Sequence, residues 1–81
     1  MTSMYNYKLD PIKRYLQDNE GKVVTYSKLL KFASIKTLYL VFFYLRKLGY
    51  INKVSPGKYL ILKRVEDNLS IRSMRERVYG N

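Results

Sequence analysis

The stretch LYLVFFYL, Leu38 to Leu45, decides the fold, because it contains no charge and no turn-forming residue. An apolar run this short fits a buried strand, a piece of a membrane span, or a helix that is apolar on more than one face. Periodicity alone does not separate the three. The flanks do. Ser34 is a good N-cap, no Pro or Gly interrupts Ile35 to Leu48, and Gly49 supplies a stop. Arg46 and Lys47 fall in the last turn, where the helix dipole favours cations. The run is therefore expected to be the centre of a helix over Ile35–Leu48. A span needs about 20 apolar residues, so a membrane partner is not expected.

Outward from this helix the chain is punctuated at regular intervals. Asp10-Pro11 is a start signal, a capping carboxylate followed by a residue suited to the first helical position. Ile12, Tyr15 and Leu16 then share one helical face, and Gly21 ends the segment, so a first helix is predicted from Pro11 to about Glu20. Lys22-Val23-Val24 reads as a short strand. Thr25 is placed to cap a short second helix with Tyr26, Leu29, Leu30 and Ala33 at helical spacing. After Gly49, Tyr50–Val54 and Lys58–Leu62 read as strands flanking the turn Ser55-Pro56-Gly57. Ser70 opens a last helix with Ile71, Met74 and Val78 on one stripe, Arg72 and Arg77 beside it, and Gly80 at its end. The expected organisation is a domain over 1–64 and a helical extension over 65–81.

Composition narrows the functions. The chain has 81 residues and a net charge of +10, from 16 Lys and Arg against 6 Asp and Glu. So large an excess on so small a body points to a polyanionic partner, nucleic acid first and an anionic membrane surface second. There is no Cys and no His, which removes zinc fingers, thiol chemistry, imidazole acid–base catalysis and disulfides. No glycine loop for phosphates and no metal-ligand spacing is present. Neither an enzyme nor a metal or other cofactor is expected. The N-terminus lacks the continuous apolar segment of a secretory signal, so a cytoplasmic protein is expected.

Helix, short strand, helix, helix, then a β-hairpin is the element order of an α+β winged helix-turn-helix domain, here with an added C-terminal helix. Val24 to Leu62 resembles small archaeal and bacterial winged-helix regulators, some of them carried by viruses or plasmids. The resemblance rests on Thr25 opening the second helix, SIKT (Ser34 to Thr37) opening the third, LRKLGYI (Leu45 to Ile51) leading into the hairpin, and SPGKYLIL (Ser55 to Leu62) forming it. It covers about half the chain. It implies a sequence-specific regulator of double-stranded DNA, with the third helix in the major groove and the hairpin on the backbone or minor groove.

Helical geometry sorts the third helix into two faces. Leu38, Val41, Phe42, Leu45 and Leu48 point inward. Lys36, Leu40, Phe43 and Lys47 point outward, flanked by Tyr39, Tyr44 and Arg46. The expected DNA-contacting set is Tyr26, Ser34, Lys36, Thr37, Tyr39, Leu40, Phe43, Tyr44, Lys47, Lys53, Ser55 and Lys58. Ser34 and Thr37 are also natural caps. Leu40 and Phe43 stand where a base reader usually shows polar groups. They face thymine methyls, the N-terminal arm (Tyr5, Tyr7, Leu9), the C-terminal helix or a second subunit. Ile71, Met74 and Val78 are expected to form the seam of a homodimer, matching the two-fold symmetry of operators. Two other classes stay open: a protein-docking module using the apolar outer face, and a non-specific or single-strand binder that stacks tyrosines on bases.

Overall fold

The computed structural model describes residues 4–80, with side chains from Leu9 onward; Tyr5 and Tyr7 therefore lie outside the described side chains. The order is α1 (Met4–Asp18), β1 (Val23–Thr25), a single 3-10 turn (Tyr26–Lys28), α2 (Ile35–Lys47), β2 (Ile51–Ser55), β3 (Lys58–Ile61) and α3 (Ile71–Tyr79). Among the described residues, three α-helices and one antiparallel sheet of order β1-β3-β2 make a small α+β fold, compatible with a winged-helix-like layout.

LYLVFFYL lies within α2. Ser34 caps that helix, its Oγ accepting from the Thr37 N–H at 3.3 Å. At the other end the Tyr50 N–H reaches the Leu45 carbonyl (2.9 Å) and the Gly49 N–H reaches that of Arg46 (3.1 Å). These two bonds close a Schellman motif, with Gly49 at φ +86° as the left-handed residue the motif requires. The chain reverses there and enters β2 directly.

Two helices differ from expectation. α1 begins at Met4 and carries Pro11 in its interior. Proline removes one backbone bond there, but Leu9, Ile12 and Leu16, which bracket it, are all buried. Packing of that stripe outweighs the missing bond. The expected second helix is reduced to the 3-10 turn and the turns that follow. Thr25 makes no side-chain cap bond; its hydroxyl pairs with Ser27 Oγ at 2.9 Å. Thr25 therefore gives no capping acceptor to the N–H groups that follow it. Only Leu29 of the adjacent leucine pair is buried, and Leu30 is exposed.

The sheet aligns its inward residues by register. Val24 and Lys53 both pair with Tyr59, and Ile51 pairs with Ile61. Val24, Tyr59, Ile51 and Ile61 are buried, forming the sheet side of a core completed by α1 and α2. A bulge at Val54 shifts the register between Lys53 and Ser55 just before the hairpin turn.

The C-terminal segment belongs to the same core. Val65, Leu69 and Met74 are buried, and Ile71 and Val78 pack against them. Lys13 Nζ donates to the carbonyls of Asp67 (2.6 Å) and Leu69 (2.9 Å), and Gln17 Nε2 donates to that of Val65 (2.7 Å). These bonds tie the 65–70 connection to α1. Ser70 and Ser73 form a reciprocal capping box at the start of α3. The expected dimer seam is thus corrected: Met74 is buried inside its own chain, and Ile71 and Val78 lie against that same interior, because the stripe covers α1 and α2.

Candidate nucleic-acid interface

The outer face of α2 is open. Lys36, Arg46 and Lys47 are exposed, as are Tyr39 (55%), Leu40 (39%) and Phe43 (40%). At 3.6 residues per turn, Lys36, Leu40, Phe43 and Lys47 fall within a sector about 60° wide. Lys47 Nζ lies 5.6 Å from the centre of the Phe43 ring, a cation–π distance. Beside this stripe runs a shallow groove of about 420 Å³, lined by Phe43, Arg46, Lys47, Ile51 and Asn52, where α2 meets the start of β2.

The hairpin adds a second cationic element. Lys53 and Lys58 are exposed, and Ser55 is half-buried opposite Lys58. Residues directly paired across strands share a face, so Lys53 emerges on the side of Tyr59, the side that packs toward α2. An aromatic cluster fixes hairpin and helix relative to each other. The Tyr26 ring sits 5.2 Å from Tyr39, 5.0 Å from Phe42 and 5.4 Å from Tyr59. Phe42 and Tyr59 meet edge-to-face at 5.0 Å. The hydroxyls of Tyr26 and Tyr59 are 2.8 Å apart. Burial first, then this bond, pushes the Tyr26 pKa well above the usual phenol value.

Two expected contacts are drawn into packing instead. Tyr44 is buried at 4% exposure, because Tyr79 of α3 packs edge-on against it at 6.3 Å. Tyr26 is half-buried, its hydroxyl committed to Tyr59. Ser34 and Thr37 are joined at 3.2 Å between their hydroxyls, in keeping with capping. Lys36, Tyr39, Leu40, Phe43 and Lys47 are brought together on one surface. Leu9, a proposed cover for Leu40 and Phe43, is spent in the core.

Charge is segregated along the chain. From Gly21 to Val65 there are ten Lys and Arg and no Asp or Glu. The ion pairs among the described residues are Lys13–Asp10, Arg64–Asp67, Arg72–Glu76 and Arg77–Glu66. None involves a cation between Lys22 and Lys63. Arg46, Asn52, Lys22 and Lys28 are exposed polar groups outside the expected set, and the acid-free run is the sequence signal that points to the three cations.

No known protein family, curated protein or solved structure matches this chain.

The other surfaces carry less chemistry. An open groove of about 650 Å³ on α1 is lined by Asp10, Pro11, Arg14, Tyr15, Asp18 and Phe32, and it pairs its carboxylates with no imidazole or thiol. Among the described residues no three His, Cys, Asp or Glu converge as metal ligands. No helix among them is long and apolar enough to cross a membrane.

Proposed function

We propose that this protein is a sequence-specific double-stranded DNA-binding regulator of the winged helix-turn-helix type, acting without catalysis by occupying its site. In this reading α2 enters the major groove and the β2–β3 hairpin rests on the flanking backbone or minor groove. One observation carries it: an exposed lysine stripe on α2 and exposed lysines on the adjoining hairpin, within a run of 45 residues that holds no acid. Phosphates supply most of the affinity of such a surface, and they favour a face with no carboxylate to repel them. The shortened second helix leaves the 3-10 turn, with Lys28 exposed on it, as the neighbouring backbone contact.

A homodimer on a two-fold site remains part of the proposal, but its seam lies elsewhere than on the Ile71–Met74–Val78 stripe. The test is fluorescence anisotropy on a short labelled duplex across a salt series. Four lysines on phosphates predict a log–log slope of about −3 to −4. No duplex binding at low salt overturns the reading. The exposed Leu40 and Phe43 favour a second reading, a protein-docking face, which retains no salt-dependent affinity for duplex DNA.

A further inference from the structure

The outward stripe of α2 is unusual for a base-reading surface because its middle offers no hydrogen bonds. Leu40 and Phe43 have neither donor nor acceptor, yet each is about two-fifths exposed, while seventeen other apolar side chains among the described residues are buried. Lysines bracket them. Lys36 and Lys47 lie at the two ends of the same sector, about 16 Å apart along the helix axis. The major groove is about 12 Å wide. Given the reach of two lysine side chains, a helix laid across the groove sets the ammonium groups on opposite phosphate walls. Leu40 and Phe43 then lie against the base edges between them.

The one sizeable apolar group among those edges in unmodified DNA is the thymine C5-methyl; the rest are donors, acceptors and small ring C–H groups such as that at cytosine C5. Leucine or phenylalanine against a donor or acceptor strips its water and returns nothing. Against a methyl group the same side chain buries apolar surface on both partners. We propose that Leu40 and Phe43 read pyrimidine C5-methyl groups in the major groove, so that the protein selects sites by methyl position rather than by hydrogen-bond pattern. This rests on the DNA-binding reading above and adds what α2 recognises. The chemistry is shared by thymine and 5-methylcytosine, and the two are separable by experiment.

The test begins with duplexes enriched by the full chain from a random pool. Thymines are then replaced one at a time by deoxyuridine, which keeps pairing and the O4 acceptor and removes only the methyl. Affinity should fall about four-fold for each methyl in contact. Leu40→Ala and Phe43→Ala, both at exposed positions, should each shrink that discrimination toward one-fold while the salt slope stays unchanged. A second pool carries uracil in place of thymine and 5-methylcytosine in place of cytosine. Enriched positions should follow the methyl to the G·C pairs. Equal affinity for thymine and deoxyuridine at every position overturns the inference, as does enrichment that stays at A·U pairs; salt-dependent duplex binding in either case leaves the DNA-binding reading standing. Absence of duplex binding at low salt overturns both.

Discussion

The hydroxyl of Tyr26, in the 3-10 turn before α2, lies 2.8 Å from that of Tyr59 in the return strand of the hairpin. One hydrogen bond thus links the support of the helix to the support of the hairpin, and Phe42 of α2 packs against both rings. The bond adds a directional constraint to the ring packing that already sets helix against hairpin.

Tyr26→Phe and Tyr59→Phe keep the rings and remove the bond. Each should lower unfolding free energy by about 0.5–1.5 kcal/mol. The double variant should cost less than the two singles together, since the singles each leave one hydroxyl without its partner. Urea denaturation of the four proteins measures the coupling. The Tyr26 pKa is raised in the folded state, so its contribution is present below the unfolded value near 10 and is lost as pH rises through the folded value. Stability should therefore fall more steeply above pH 10 in the parent than in Tyr26→Phe.

Acid sensitivity should trace to a second cluster. The Tyr50 hydroxyl donates to Glu66 Oε1 at 2.5 Å, and Arg77 Nη1 donates to the Tyr50 hydroxyl at 3.0 Å. The Tyr50 bond, assisted by Arg77, holds the Glu66 carboxyl below its ordinary value of 4.5. A lowered carboxyl stabilises the fold above its unfolded pKa, and that contribution is lost as pH falls through the folded value. Glu66→Gln should reduce stability at pH 7 by about 1 kcal/mol or less, because Arg77 and Glu66 are both partly exposed. It should also flatten the stability profile below about pH 4.5, as thermal melts at pH 7 and pH 3 would register.

The segment after Arg64 should prove indispensable. Val65, Leu69 and Met74 are each fully buried, worth about 1.5–3 kcal/mol apiece. A domain of this size has only about 5–15 kcal/mol in total. A chain ending at Arg64 should show no cooperative unfolding by circular dichroism. Met74→Ala in the full chain should cost about 2–5 kcal/mol, and the loss should be independent of protein concentration because Met74 packs within one chain.

Lysines of the proposed interface should be distinguishable from cations elsewhere by salt. Lys36→Ala, Lys47→Ala and Lys58→Ala should each weaken duplex binding and reduce the salt slope by about 0.9. Arg72→Ala, on α3 and paired with Glu76, should leave the slope unchanged. Anisotropy titrations at several salt concentrations decide it.

What was legible in the sequence was mostly local. Ser34, Gly49, Ser70 and Gly80 mark the ends of α2 and α3 because capping depends on a residue's own side chain or backbone freedom. The inward stripe of α2 followed from spacing. Long-range packing was not legible. Nothing near Tyr44 announces that Tyr79 will cover it, so the helical wheel placed it outside. Pro11 read as a helix start because its local preference is strong, while the burial of Leu9 two residues earlier depends on the assembled core. Thr25 had the chemistry of a cap, but its hydroxyl found Ser27 first. The outer stripe of Lys36, Leu40, Phe43 and Lys47 followed from the same spacing and is exposed.

The bulge at Val54 bears on how the edge of the sheet is kept from pairing with the strands of other chains. β2 is an edge strand in the order β1-β3-β2, and an open edge is a template for another chain's strand. The register shift between Lys53 and Ser55 interrupts the even row of N–H and C=O groups along that edge. Exposed Lys53 places a charge beside the interruption, and Pro56 follows it at the turn. Val54, apolar and exposed, would otherwise invite strand addition. The hairpin is thereby guarded against aggregation, and deleting Val54 to restore regular pairing should make the protein form β-rich oligomers, as size-exclusion chromatography with circular dichroism would register.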